Sequence, residues 1–175
     1  MFATPLVDEA RRLLVAYRRV GLTIVTAESC TGGLVAALLT EVPGASEVLE
    51  RGFVTYSNAA KSESLGVADA LLANHGAVSA PVARAMAEGA LAHSRAEIAV
   101  SVTGVAGPGG GSATKPVGLV HLALARRGAE TLQKEFRFGD VGRDCVRAQA
   151  LDAALALLWG ALGERLLEGR AALEG

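Results

Sequence analysis

Short apolar runs rich in β-branched residues alternate along this chain with longer stretches rich in Ala and Leu, and this alternation limits the folds available to it. Strands are predicted at residues 22–26, 53–56 and 98–102, because these runs have the length and composition of buried strands. Helices are predicted at residues 5–20, 32–40, 58–65, 81–93 and 146–167. Strands that alternate with helices form a sheet that is covered on both faces.

One segment departs from this alternation. Residues 119–124 and 132–138 flank Arg127 and Gly128, a pattern typical of a hairpin turn. A hairpin adds an antiparallel strand, so we expect a mixed sheet. The 175 residues contain no internal repeat and no long linker. Because this length is usual for one domain, we predict that residues 1–175 form a single domain.

Composition and charge argue against two classes of partner. The formal net charge is −1 and no cluster of Lys and Arg is present, so we expect no nucleic-acid partner, since such proteins carry a basic face. The longest apolar stretch, residues 153–162, is shorter than the roughly 20 residues that span a bilayer, so we expect no membrane partner. No signal-peptide pattern begins the chain, and its two cysteines are too few for a disulfide framework. We predict a cytoplasmic protein.

The first candidate site segment joins a predicted strand to a predicted helix at residues 28–33. Such a junction lies at the carboxyl edge of a sheet, where α/β proteins bind ligands. Gly32 and Gly33 allow a ligand to approach the backbone, and the helix amino terminus offers N–H donors for a substrate anion or an oxyanion. Ser29 and Thr31 are each a helix cap or a reactive group, and Cys30 is a packing residue or an alternative nucleophile.

The second candidate segment contains Tyr56 and Lys61. Tyr56 is predicted to end a strand and Lys61 to lie in the first turn of the next helix, near the same edge as Ser29. The helix dipole and burial both favour an uncharged Lys61 amine, which is the form that a general base needs. Tyr56 would pass a proton between Ser29 and Lys61, or orient one against the other. Taken separately, each residue is also compatible with an ordinary surface or packing role.

The third candidate segment is rich in glycine and covers residues 103–112. It lacks the spacing of a phosphate-binding loop of ATPases, but it can offer backbone donors and the Thr103 hydroxyl to a small ligand. Further on, Arg143 and Arg147 lie four residues apart, and each is a phosphate contact or a surface charge. The three histidines share no metal-ligand spacing, so we predict no metal site.

The segments together, in this order, resemble the carboxy-terminal amidase domain of the CinA family. The matching residues are 27–33, Tyr56 to Asn58 with Lys61, 65–67, 103–111 and 115–118. This resemblance implies a three-layer α/β/α sandwich with a mixed, mainly parallel sheet. It also implies hydrolysis of nicotinamide mononucleotide to nicotinate mononucleotide and ammonia, without cofactor or metal, by a protein that forms homo-oligomers, commonly dimers.

The resemblance also implies roles for individual residues. Ser29, Tyr56 and Lys61 match the catalytic positions of the family. Backbone groups of Cys30, Thr31, Gly32 and Gly33 would bind the substrate, and so would three further residues, Thr103, Gly104 and Arg143. The amino-terminal domain of longer relatives has no counterpart in these 175 residues, so we expect no pyrophosphatase activity.

Two other functions are compatible with parts of the pattern. A non-catalytic nucleotide-binding module would use the same glycine-rich segments and release no ammonia. An RNA-binding or interaction domain would share the sandwich fold, but the chain has no basic stripe.

Overall fold

The computed structural model describes the backbone of residues 2–171 and the side chains of residues 2–163. Its five strands form one sheet in the order β2-β1-β3-β4-β5. The strands are β1 Ile24–Glu28, β2 Leu49–Val54, β3 Ile98–Gly104, β4 Leu119–Arg126 and β5 Leu132–Arg137. The helices are α1 Thr4–Arg19, α2 Leu34–Thr40, α3 Asn58–Leu65, α4 Asp69–His75, α5 Ala80–Ala92 and α6 Arg143–Ala171, with a short 3-10 helix at Ala45–Glu47.

The sheet is mixed, and most of its strands run in one direction. Strand β1 pairs in parallel with β2 on one side and with β3 on the other. Strand β4 is antiparallel to β3, and β5 is antiparallel to β4, so β4 alone among the five runs in the opposite direction. The predicted mixed, mainly parallel sheet is therefore confirmed, and the hairpin at Arg127 and Gly128 is its antiparallel part.

Helices cover both faces of the sheet. Because side chains alternate along a strand, Val100 and Val102 of β3 join the core formed with α1, α2 and α6. Ala99, which directly precedes Val100 and faces the other side of the sheet, joins a second core formed with α3, α4 and α5. These two cores give the expected three layers, α/β/α.

The second core fixes the position of α3, the helix that carries Lys61. Helix α5 packs closely on the sheet because its buried residues include several alanines, which face alanines of β3 and β4. Gly89 of α5 lies directly against the carbonyl of Leu65 at the end of α3, where a Cβ atom would collide. The absence of a side chain at Gly89 thus lets α3 rest against the helix layer.

Several element boundaries differ from the prediction. Strand β2 begins at Leu49 rather than at residue 53, because this edge strand is half exposed and lacks a continuous apolar run. Helix α3 has the predicted bounds, and Ser57 directly before it is its cap and accepts a hydrogen bond from the Ala60 amide. Helix α4 was not predicted, and α6 begins at Arg143 rather than at residue 146.

Helix α6 is long and apolar enough between Arg143 and Gly163 to cross a membrane by length and composition alone. In the structure, however, Val146, Ala150 and Leu158 of this helix are buried in the first core. This arrangement is typical of the core helix of a globular domain.

Candidate active site

The residues predicted to be catalytic converge at one edge of the sheet. Strands β1, β2 and β3 are parallel, so their carboxyl ends lie at the same edge. Ser29 directly follows β1, Tyr56 lies two residues after β2, and Lys61 is in α3. The Thr55 amide donates a hydrogen bond to the Glu28 carbonyl over 2.8 Å, which extends the β1–β2 pairing to the residues that precede Ser29 and Tyr56.

Ser29 and Lys61 are in direct contact. The Nζ atom of Lys61 lies 3.0 Å from the Oγ atom of Ser29 and 2.8 Å from the carbonyl oxygen of Thr55. A longer contact of 3.5 Å joins Nζ to the carbonyl oxygen of Tyr56. An uncharged amine has two N–H donors and one lone pair, so two carbonyls and one hydroxyl satisfy it completely.

The environment of Lys61 favours the uncharged amine. Its side chain is 1% exposed, and burial lowers the pKa of Lys61, because desolvation penalises the charged form. Among the ion pairs described for residues 2–163, none involves Lys61. Burial is therefore the main cause of the lowered Lys61 pKa, and the direction is the one expected from the sequence.

The nucleophile turn, residues 29–33, is named for its predicted nucleophile, Ser29, and is a tight turn between β1 and α2. The amide of Gly32 donates to the carbonyl of Ser29 over 3.0 Å and closes the turn. Gly32 and Gly33 have φ angles of +62° and +94°, which residues with a Cβ rarely adopt. Gly33 occupies the cap position of α2, so neither Ser29 nor Thr31 is the helix cap, and the Ser29 hydroxyl remains available to Lys61.

Glu28 is a site residue that sequence reasoning did not identify. Its side chain is fully buried beside the nucleophile turn. Its carboxylate accepts hydrogen bonds from the amides of Val35 and Ala36, at 3.0 and 2.9 Å. Glu28 thus caps α2, whose own cap residue, Gly33, has no side chain for that purpose. The available signal was an acidic residue at the end of an otherwise apolar strand.

This capping occupies two amides at the amino terminus of α2. The amides of Val35 and Ala36 in the first turn of α2 are occupied by Glu28. Those two amides are therefore not free to bind a substrate oxygen.

Tyr56 lies at the mouth of the site. Its side chain is 59% exposed, and its hydroxyl accepts a hydrogen bond of 2.9 Å from Nη2 of Arg143. Nη1 of Arg143 donates to the carbonyl of Gly107 in the glycine-rich segment. The expected proton relay through the Tyr56 phenol is therefore not the arrangement observed, because Lys61 reaches Ser29 without an intermediate group.

Cys30 is a buried packing residue. Burial raises the pKa of the Cys30 thiol to about 11, against smaller opposing effects from nearby backbone amides and from Arg147. The reactive form of a cysteine is the thiolate. A raised pKa keeps this thiol protonated at neutral pH, which favours the packing interpretation over a thiol nucleophile.

Thr103 and Gly104 were expected to contact substrate, but the structure uses both internally. Thr103 is 1% exposed, and its hydroxyl donates to the carbonyl of Ala77 over 2.9 Å. A Cβ atom at Gly104 would lie 2.7 Å from a side-chain carbon of Val120 and 2.8 Å from the carbonyl oxygen of Leu119. Gly104 is therefore required by the close packing of β3 on β4, and Thr103 tethers the α4–α5 connection.

A cavity of about 600 Å³ lies beside this site, between the glycine-rich segment and the connection from β5 to α6. Its lining includes Pro108, Arg137 and Asp140. Pro108 directly follows Gly107, whose carbonyl binds Arg143. The cavity volume is within the range of small-molecule sites.

No group of three or more His, Cys, Asp or Glu suited to holding a metal ion is found within the described part of the chain. The polar groups gathered at the site are a hydroxyl, an amine, a phenol, two guanidinium groups and the carboxylate of Glu28.

A mixed sheet covered by helices, with polar side chains at the carboxyl ends of its parallel strands, defines an α/β domain of the kind that binds small molecules at that edge. The chain belongs to the CinA family, since it matches the CinA C-terminal domain over residues 7–162. The resemblance inferred from the sequence is thereby confirmed.

Relatives with established names resemble the chain closely. The nicotinamide-nucleotide amidohydrolase PncC of Escherichia coli K12 is 54% identical over 140 residues, which cover 79% of this chain and 84% of that protein. A CinA-like protein of Anaeromyxobacter dehalogenans is 56% identical over 153 residues, which cover 86% of this chain but only 37% of that longer protein.

Solved structures agree with the fold. The competence/damage inducible protein CihA of Agrobacterium tumefaciens superimposes with a TM-score of 0.89 at 52% sequence identity, covering 93% of this chain and 98% of that one. A CinA superfamily protein of Escherichia coli superimposes with a TM-score of 0.83 at 32% identity, covering 91% and 92% of the two chains.

Proposed function

We propose that this protein is an amidohydrolase that converts nicotinamide mononucleotide to nicotinate mononucleotide and ammonia. The observation that supports this proposal most strongly is the direct contact between Ser29 and an amine, that of Lys61, whose pKa is lowered by burial. A serine hydroxyl beside an uncharged amine is suited to attack on an amide. The name of the Escherichia coli relative supplies the substrate class.

The first half of the reaction forms an ester on Ser29. Lys61 accepts the hydroxyl proton of Ser29 directly, at the observed distance of 3.0 Å between Nζ and Oγ. The Oγ atom then bonds to the carboxamide carbon, and the carbonyl oxygen becomes an oxyanion held by backbone amides of the nucleophile turn. When the carbon–nitrogen bond breaks, Lys61 returns the proton to the leaving nitrogen, which departs as ammonia.

The second half of the reaction hydrolyses that ester. Lys61 takes a proton from a water molecule, whose oxygen bonds to the ester carbon. The bond to Oγ breaks, and the proton passes from Lys61 back to Ser29. The products are a carboxylic acid on the pyridine ring, which loses its proton to solvent and becomes the carboxylate, and the free enzyme, so no redox partner takes part.

Arg143 and Tyr56 are proposed to bind the nucleotide at the mouth of the site. Arg143 uses two of its N–H groups on Gly107 and Tyr56, and a guanidinium has five. The remaining N–H groups suit a phosphate, which arginine binds in a bidentate manner. The neighbouring cavity of about 600 Å³ has room for the ribose phosphate.

The experiment that tests this function is an ammonia-release screen over pyridine nucleotides with EDTA present throughout. We expect ammonia from nicotinamide mononucleotide at a rate that EDTA does not change. Tight binding of the nucleotide without ammonia would support the non-catalytic binding module instead. The expected absence of nucleic-acid and membrane partners, the cytoplasmic location and the homo-oligomeric state remain predictions.

A further inference from the structure

Arg147 connects the last helix to the nucleophile turn. Its Nη2 atom donates a hydrogen bond of 2.9 Å to the carbonyl of Thr31, 116 residues away in sequence. A Cβ atom at Gly32 would lie 3.7 Å from the same nitrogen, so the guanidinium packs directly on the turn. Arg143, one helical turn earlier, reaches the mouth of the site instead.

The peptide unit between Thr31 and Gly32 is held at both ends. Its carbonyl accepts from Arg147, and its N–H donates to the carbonyl of Ser29. Because a peptide unit is planar, these two bonds fix its orientation and restrict the neighbouring amides of the turn. The amides of this turn other than those of Ser29 and Gly32, which already donate to backbone carbonyls, are the groups proposed to hold the oxyanion.

The charge of Arg147 is not balanced by a carboxylate within hydrogen-bonding distance in the described part of the chain. Its Nε atom is buried and has no hydrogen-bond partner among the described residues. A buried donor without a partner costs stability, so such an arrangement is more typical of a functional site than of a simple tether. The field of Arg147 reaches the turn, because it lowers the pKa of Cys30 against the larger effects of burial and of the nearby Glu28 carboxylate, both of which raise that pKa.

We propose that Arg147 is a positioning residue that holds the nucleophile turn in its reactive geometry and supplies positive charge beside the developing oxyanion. This role rests on the proposed amide hydrolysis. Positive charge that is already in place where negative charge develops lowers the barrier without reorganisation. Arg147 does not need to touch the substrate, since it acts through the backbone of Thr31 and Gly32.

The test compares Arg147→Gln and Arg147→Lys with the native protein. For nicotinamide mononucleotide, we expect Arg147→Gln to lower kcat by about 10- to 100-fold with little change in KM, because geometry and charge matter most in the transition state. Arg147→Lys keeps the charge and should recover part of the lost kcat. A native kcat in a folded Arg147→Gln variant would overturn the proposal, and so would equal losses in both variants.

Arg127 provides a matched control. Its guanidinium donates to the carbonyls of Leu91, Ser94 and Ala96 at the opposite edge of the sheet. Arg127→Gln removes a partly buried arginine that also binds carbonyls, so it should lower stability and leave kcat unchanged. A loss of kcat in this control similar to that in Arg147→Gln would show a general structural effect and overturn the proposal.

Amide hydrogen exchange separates this proposal from the proposed function. We expect the Gly32 amide, which donates to the Ser29 carbonyl, to exchange faster in Arg147→Gln than in the native protein, whether or not substrate is turned over. Absence of ammonia release by the native protein would refute the function, and the exchange rate would then decide whether Arg147 holds the turn. An unchanged Gly32 rate would refute the positioning role.

Discussion

The amine of Lys61 lies 3.0 Å from the hydroxyl of Ser29, and the two residues come from different layers, Ser29 from the end of a sheet strand and Lys61 from a helix. Ser29 directly follows β1. Lys61 lies in α3, which packs against α5 in the second core. The parallel pairing of β1 with β2 brings these two connections together. The reactive pair thus depends on the sheet topology, and each residue can be tested separately.

Ser29→Ala removes the proposed nucleophile and little else. Because Ser29 is a small residue in a turn closed by backbone hydrogen bonds, we expect the fold to remain and ammonia release to be lost. The measurement is ammonia release together with circular dichroism. Ser101→Ala is the control, since the buried hydroxyl of this β3 residue donates to the Ala83 carbonyl of α5, and its loss should cost about 1 kcal/mol of stability without loss of turnover. Turnover near the native rate in Ser29→Ala would reject the assignment.

Lys61 should make stability depend on pH in the alkaline range. Burial lowers its pKa in the folded protein, so the unfolded chain binds more protons between that pKa and the ordinary value near pH 10. The free energy of unfolding of the native protein, relative to Lys61→Met, should therefore rise with pH across this window and stay flat below it. Urea unfolding of both proteins at several pH values measures this difference. If this difference in the free energy of unfolding falls as the pH rises, the Lys61 pKa is not lowered in the folded protein.

Glu28→Gln tests the cap of α2. The carboxylate accepts from both Val35 and Ala36, whereas an amide side chain has only one acceptor oxygen. We expect a loss of about 1–2 kcal/mol in the free energy of unfolding and a lower kcat, because the same helix end supports the nucleophile turn. The exposed Glu63 of α3 gives the control Glu63→Gln, which should change neither quantity. If Glu28→Gln has the same free energy of unfolding as the native protein, the hydrogen bonds from Glu28 do not stabilise α2.

Thiol labelling distinguishes the two cysteines. Cys145 is exposed and Cys30 is buried, and burial raises the pKa of the Cys30 thiol to about 11. A disulfide reagent at neutral pH should modify Cys145 alone in the folded protein, and both thiols after unfolding in urea. Ammonia release should persist after Cys145 is blocked. Rapid labelling of Cys30 with parallel loss of activity would favour a thiol nucleophile.

The fold was largely predictable from the sequence because its signals are local. The alternation of short apolar runs with Ala- and Leu-rich stretches determined the layered α/β class, and the turn at Arg127 and Gly128 indicated the hairpin. The half-exposed start of β2 and the short helix α4 were missed, since neither has a clear apolar period.

The site was only partly predictable from the sequence, because some of its contacts join residues that lie far apart along the chain. Ser29 and Lys61 follow recognisable strand ends, so their meeting could be inferred from a parallel sheet. The contact between Arg147 and Thr31 spans 116 residues, and no local pattern encodes it. The same reason explains Thr103, whose hydroxyl binds the Ala77 carbonyl rather than facing a ligand.

The central claim is that an uncharged Lys61 acts directly on Ser29, and titration of the Lys61 side chain by NMR tests it most directly. With ¹³C-labelled lysine and Lys61→Met for assignment, we expect the Lys61 signal to titrate below the ordinary lysine range, in the direction that its burial requires. The rising limb of kcat/KM with pH should follow the same pKa. A Lys61 signal that titrates with the exposed lysines would contradict the account.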